Sequence, residues 1–181
     1  MPRITPLDPT RITGPAADEL AATRAMLGST PNMFTTAAQA PAALAALNGF
    51  FAALAKGSIG GPVGERVAIA IAQENGCGYC LSAHTALGRM HKVDPAELAA
   101  ARRGASNDAR AQAAITFALA IVRTKGLVDD ATLAAARLAG LSDQELVELV
   151  AHAALNIFTN SLNNLAGTDI DFPVVPIEQA A

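Results

Sequence analysis

No stretch of the chain alternates apolar and polar residues as a half-buried strand does, and its apolar runs are punctuated by residues that begin and end helices. Pro15 to Leu27 reads as a first helix, followed by a turn at Gly28-Ser29-Thr30-Pro31-Asn32. Pro41 opens a longer helix to about Lys56, which three glycines between Gly57 and Gly61 bring to an end. Pro62 fits the first turn of the next helix, where a missing N–H costs nothing, and that helix runs to about Asn75. Gly76 stops it, and a new helix is expected from around Cys77 to Met90.

Asp94-Pro95-Ala96-Glu97 is a start signal for a short helix to Arg103, and further helices are expected over Ala109 to Thr124 and Asp129 to Ala139. Ser142-Asp143-Gln144-Glu145 has the form of a capping box and opens a last long helix to about Leu165. The run VDPAELAAAR (Val93 to Arg102) returns nearly intact as VDDATLAAAR (Val128 to Arg137), a pattern compatible with a duplicated helical hairpin. The tail from Gly167 holds too much proline to be helical and is expected to wrap a neighbouring surface. The reading is an all-α helical bundle: a single domain over residues 1–181, with 1–13 and 167–181 as extended termini.

Composition agrees with close-packed helices. Of the 181 residues 51% are apolar, alanine leads them, and aromatics amount to six Phe and one Tyr. A chain of this length buries roughly two thirds of its surface and needs no metal or disulfide to fold. A net charge of −3, with no cluster of four or more Lys and Arg, offers no field for a phosphate backbone, so nucleic acid is not expected as a partner. Gly28 to Ala55 and Leu149 to Thr168 lack charged residues, but prolines break the first, and His152 with four Asn marks the second. Neither meets the requirement of about 20 predominantly apolar residues for a membrane span. The N-terminal residues show no apolar core of signal-peptide length, and a cytosolic location is expected.

In a reducing compartment a close cysteine pair is more often catalytic or metal-binding than structural, and the two cysteines here are Cys77 and Cys80. The break at Gly76 places both sulfurs in the first turn of the next helix, where free N–H groups and the helix dipole favour a thiolate. His84 follows Cys80 by one turn, on the same face and within reach for proton transfer. Glu65, on an otherwise apolar helix, is a second proton carrier; Glu74, nearer in sequence, belongs to the helix end and a solvated role.

The run Gly64-Glu65-Arg66 to Asn75-Gly76-Cys77-Gly78-Tyr79-Cys80, then Ala83-His84-Thr85, resembles the AhpD-like alkylhydroperoxidases of the carboxymuconolactone decarboxylase family. Pro31 to Phe34, Asn160 with Asn163, and Asp169 to Pro173 are similar to its peroxidase-related subgroup. The resemblance implies an AhpD-like helical fold that oligomerises and a hydroperoxide substrate. It further implies Cys80 as the attacking sulfur, Cys77 as the resolving one, and His84 with Glu65 as the relay. An external dithiol, on a lipoyl-bearing or thioredoxin-like protein, would reset the pair, and no cofactor is implied. The best-known peroxidase-type members carry a His just before the second cysteine; here Tyr79, a poor base, occupies that place. Tyr79 and His152 are secondary candidates.

Other readings remain at this level. A disulfide reductase or redox adaptor would use the same dithiol, whereas lactone decarboxylation would not need it. A zinc site could draw on Cys77, Cys80, His84 and His91, although structural zinc usually takes ligands from two separate segments. His152, Asn156, Asn160 and Asn163 form a polar stripe on the last helix that must find partners wherever it is buried. The same helix is apolar over more than one face, from which a homo-oligomer is expected.

Overall fold

The computed structural model describes residues 1–178. These form nine α-helices and no strand: α1 (Pro15–Leu27), α2 (Asn32–Ala37), α3 (Pro41–Leu54), α4 (Gly61–Glu74), α5 (Gly78–Met90), α6 (Pro95–Arg102), α7 (Ala109–Thr124), α8 (Asp130–Leu138) and α9 (Asp143–Ala166). The chain is all-α, as the pattern predicts.

Most helix starts are fixed by local chemistry. The side chains of Asp94, Asp108, Asp129 and Ser142 each accept from a first-turn N–H, which contributes about 1 kcal/mol per cap. Ser142 and Glu145 complete the expected capping box. Two boundaries differ from the sequence reading. The third helix ends at Leu54, short of Lys56, and α2 occupies residues read as the end of a turn and beyond. No side chain of its own caps α2. Its N-terminal donors are instead satisfied from afar: Asn32 N–H donates to Asp171 Oδ2 (2.8 Å) and Met33 N–H to the Tyr79 hydroxyl (3.2 Å). So short a helix depends on tertiary support, and neither partner is local in sequence.

At the centre lies α4, packed against α5, α6, α7 and α9. Val67 to Ala72 are all buried, so the helix is enclosed on every side beyond its first turns. Arg66 is buried too, with its guanidinium paired to Glu97 and Asp108 and donating to Ser106 Oγ, the partners a buried charge needs.

The link from α4 to α5 is a Schellman turn. Gly76 takes φ 65°, and the N–H groups of Gly76 and Cys77 return to the carbonyls of Gln73 and Ala72. The chain reverses there and lays α5 along α4. Gly88 permits their close approach to α6, because a Cβ at that position would lie 2.5 Å from Leu98 Cδ2 and 3.7 Å from Glu65 Cβ.

On α9 the stripe Asn156, Asn160 and Asn163 is buried, whereas Val147, Val150, Ile157 and Leu165 are exposed. The tail beyond α9 is extended, as its prolines dictate, and passes over α4 and α5: Val175 N–H donates to Ser82 Oγ, and Gln73 Nε2 to the Glu178 carbonyl. The end of the expected extended tail, residues 179–181, lies outside the described residues. No described helix is long and apolar enough to cross a membrane.

Candidate active site

Cys77 is the N-cap of α5 and not, as expected, a residue of its first turn; its Sγ accepts the Cys80 N–H at 3.3 Å. Because the Schellman turn already consumes the Cys77 N–H, the residue is held just outside the helix with its sulfur folded back over the first turn. Both thiols are free. Cys77 is fully buried and Cys80 is 3% exposed. From α9, Asn163 Nδ2 donates to Cys80 Sγ at 3.3 Å.

These surroundings split the two sulfurs electrostatically. A hydrogen bond from the Cys77 thiol, then the His84 charge and the Asn163 and Asn160 amides, overcome burial and draw Cys80 down to about 7. Cys77 is driven upward by donating to Cys80, by burial and by its neighbour's charge, and it stays a thiol. One sulfur is a nucleophile near neutral pH and the other is its proton-bearing partner.

His84 Nδ1 lies 2.8 Å from Glu65 Oε2, with the two side chains 18% and 15% exposed. Burial pulls the imidazole's pKa down, but the charge and hydrogen bond of Glu65, with the Cys80 sulfur, outweigh it and the net direction is upward. With Nδ1 held by the carboxylate, Nε2 is the nitrogen left to exchange a proton with Cys80, one turn earlier. The structure thus brings Glu65, His84, Cys80 and Cys77 into one cluster.

Cys80 and His84 open onto a cavity of about 260 Å³ whose walls include Phe34, Phe51, Tyr79, Phe172 and Leu87. Tyr79 belongs to the wall. Its ring meets Phe172 edge-on (centroids 5.7 Å apart), its hydroxyl accepts the Met33 N–H, and burial raises its pKa far beyond any use as a base. Tyr79, a secondary candidate in the sequence, thus stands in the cavity wall, in keeping with the poor base expected of a phenol at that place.

A model of the carboxymuconolactone decarboxylase family matches residues 41–124, the span that carries Glu65, Cys77, Cys80 and His84. This segment is similar to that family. Solved structures extend the likeness over nearly the whole chain. The alkylhydroperoxidase AhpD core of a peroxidase-related protein from Ralstonia eutropha JMP134 is 23% identical, with a TM-score of 0.83 over 94% of this chain and 92% of that one. A peroxidase-related protein from Silicibacter sp. TM1040 is also 23% identical, with a TM-score of 0.75 over 91% and 93%. The debrominase Bmp8, in a variant complexed with 2,3,4-tribromopyrrole, is 21% identical, with a TM-score of 0.77 over 93% and 91%. At such identities the shared property is the AhpD-like fold. No curated protein matches the chain significantly.

Outside the decarboxylase-family segment, α9 supplies Asn163, a sulfur partner that local spacing around the cysteines does not reveal. The signal that points to it is the polar stripe. His152, on the same stripe, is not among the cavity-lining residues, and its Nε2 is buried without a partner. Glu74 is paired with Arg123 (2.7 Å), in keeping with the ordinary role read for it. His91, the fourth zinc ligand considered, caps the far end of α5 and is exposed; eleven residues of helix separate it from Cys80, or roughly 16 Å. Among the described residues no three His, Cys, Asp or Glu side chains converge as a metal site.

Proposed function

We propose that this protein is a thiol-dependent hydroperoxide reductase acting on organic hydroperoxides through Cys80. The observation that carries the reading is a sulfur drawn toward neutral pKa, beside a second thiol and one turn from a Glu65-held His84, at the wall of an apolar cavity. A cavity lined by aromatic and aliphatic side chains favours a peroxide with an apolar organic body over hydrogen peroxide.

The Cys80 thiolate attacks the terminal oxygen of ROOH. The O–O bond breaks, and its electron pair leaves on RO⁻, which takes a proton from the His84 imidazolium and departs as ROH. Cys80 is now a sulfenic acid. The Cys77 thiol yields its proton to His84 and attacks Cys80 Sγ; hydroxide leaves, takes up that proton as water, and the disulfide is complete. An external dithiol restores both thiols by exchange.

Burial bears on that partner. With Cys77 fully buried and Cys80 3% exposed, a slender dithiol on an arm, of the lipoyl type, suits the cavity better than the surface dithiol of a thioredoxin-like protein. The same burial counts against a disulfide reductase whose substrate is a folded protein. Decarboxylation of a lactone leaves the depressed Cys80 without a task.

The test is stoichiometric. Reduced wild-type protein mixed with cumene hydroperoxide consumes one equivalent and loses two thiols, while Cys80→Ser consumes none. Equal behaviour of the two proteins ends the proposal.

The aromatic walls favour one second reading, reductive dehalogenation of a haloaromatic ring, the ligand class held by the debrominase complex. Here the thiolate attacks bromine, the ring carbon takes a proton, and Cys77 displaces bromide from Cys80 to form the disulfide. Bromide released from a brominated pyrrole by the reduced protein, with no peroxide present, would decide for it.

A further inference from the structure

Among the described residues six buried side-chain polar atoms have no hydrogen-bond partner, and four of them lie on one stripe of α9: His152 Nε2, Asn156 Oδ1, Asn160 Nδ2 and Asn163 Oδ1. Chance does not account for this, because each such atom costs about 1–3 kcal/mol when left unpaired. The other ends of these groups are tied down. Asn156 Nδ2 donates to the His152 carbonyl, Asn160 Oδ1 accepts from Asn75 Nδ2, and Asn163 Nδ2 holds the Cys80 sulfur. Asn160 Nδ2 leans on the Cys80 sulfur that it helps to hold as an anion, and the stripe presents its remaining free atoms from Asn163 to His152, along eleven residues of helix or roughly 16 Å.

The stripe has a reactive end and a wet end. At one end Asn163 touches Cys80. At the other, His152 lies against the start of α4: its Cε1 and the Ile59 carbonyl oxygen are 3.9 and 3.0 Å from where a Gly64 Cβ would stand. The charged and titratable groups that act on His152 are Glu148 on its own helix, Glu65 from α4 and His84 from α5. Arg110 of α7 is already paired with Glu145, and α2 and α3 carry no charge. Glu148 is partly exposed and accepts the N–H groups of Ser58 and Ile59.

We propose that this stripe binds a file of water molecules from Cys80 to His152, and that His152 passes protons between the file and Glu148 at the surface. Buried polar sites of this kind are filled by water that makes about three hydrogen bonds. Burial, stronger than the pull of Glu148, the Ile59 carbonyl and Glu65, lowers the His152 pKa and favours the neutral ring, whose unpartnered Nε2 can take a proton from the file. The inference rests on the hydroperoxide reading for its purpose. Each turnover forms water at a sulfur whose cavity side is taken by the alcohol, and that water and the protons of the relay need a second way to solvent.

Two measurements test it. A high-resolution crystal structure of the reduced protein is expected to place waters within hydrogen-bond distance of at least two of the three remaining free atoms, His152 Nε2, Asn156 Oδ1 and Asn163 Oδ1. Asn156→Leu keeps the branching at Cγ, and its larger apolar tip takes the place of water and interrupts the file without leaving a new unpaired group on residue 156; a retained cooperative thermal transition checks that it folds. The variant is expected to slow single-turnover disulfide formation about 5–10-fold and to raise its solvent deuterium isotope effect, with Asn156→Asp restoring at least half the rate. His152→Gln, which keeps a hydrogen bond but cannot titrate, should show the same slowing. A dry stripe, or amides paired with one another, overturns the proposal whatever the activity. Ordered waters together with an Asn156→Leu protein of unchanged rate and isotope effect overturn the conduit. If the wild type itself consumes no hydroperoxide, the function proposed above falls and takes the conduit with it, whereas the water sites are still judged by the density alone.

Discussion

Asn163 and Cys80, 83 positions apart in sequence, meet through an Nδ2 to Sγ contact of 3.3 Å between α9 and the first turn of α5. The contact puts a neutral donor on a sulfur that His84 and Cys77 already favour as an anion. Hydrogen bonds to charged groups contribute about 1.5–3 kcal/mol. Asn163→Leu is therefore expected to move the pH midpoint of Cys80 alkylation by iodoacetamide upward, toward the ordinary cysteine value of about 8.5. In wild-type protein the thiolate fraction, and with it the alkylation rate, rises through about pH 7. The variant should react about tenfold more slowly at pH 7 and nearly equally at pH 9. Identical profiles would remove Asn163 from the site.

Glu65→Gln isolates the relay. The carboxylate is what holds the His84 pKa up against burial, so its removal should lower that pKa and leave the ring neutral at pH 7. A neutral ring gives Cys80 less charge stabilisation and no proton for the departing alkoxide. Peroxide turnover is expected to fall about 10²-fold or more, in the range general acid–base catalysis contributes, with a smaller effect on alkylation. The sign of the pH effect follows from the raised His84: the protonated form that the ion pair stabilises persists below its folded pKa and is lost as pH rises through it. Loss of wild-type turnover at alkaline pH should thus set in at lower pH in Glu65→Gln. A pH–rate profile from 5 to 10 checks both limbs.

The all-helical pattern, most helix limits and the four-residue cluster were legible because each is written locally. Proline and glycine mark the ends, Asp94, Asp129 and Ser142 cap, and Cys77, Cys80 and His84 lie within about two turns of one helix start. What escaped the sequence is held by distant partners. Helix α2 exists because Asp171 and Tyr79 take its first N–H groups, and no local window contains all three. Tyr79 looked like a weak base when read beside the cysteines, but its hydroxyl serves Met33 and its ring serves Phe172. The cavity walls combine residues of α1, α2, α3, α5, α9 and the tail, so no local window shows Phe34, Phe51 and Phe172 lining one space. Cys77 moved from the first turn to the cap because the Schellman turn of Gly76 uses its N–H.

Phe172 closes one side of the cavity from the extended tail, anchored next to Asp171, which binds Asn32. Phe172→Ala should widen the cavity and cost less than the about 3–5 kcal/mol of a fully buried Phe, since the ring is only half-buried. The expected outcome is a gain of cumene hydroperoxide turnover relative to tert-butyl hydroperoxide, with faster alkylation of Cys80 by bulky maleimides. An unaltered preference together with unaltered alkylation would show that the tail does not bound the substrate site.

Val147, Val150, Ile157 and Leu165 leave an apolar stripe on the outer side of α9, with Val147 70% and Leu165 56% exposed. Together with Ala154 and Ser161 they recur at three- and four-residue spacing, the periodicity of a helix face that packs against another helix. The homo-oligomer expected from the apolar breadth of this helix would use that face, because α9's other side is committed to the stripe at Cys80. Burying each side chain removes its apolar surface from water at roughly 25 cal/mol per Å², and a charge placed there reverses the gain. Val150→Asp combined with Ile157→Asp is expected to convert the assembly to monomer in analytical ultracentrifugation while the alkylation midpoint of Cys80 stays in place. A wild-type protein that sediments as a monomer, or a double variant that sediments as the wild-type oligomer does, would rule out this face.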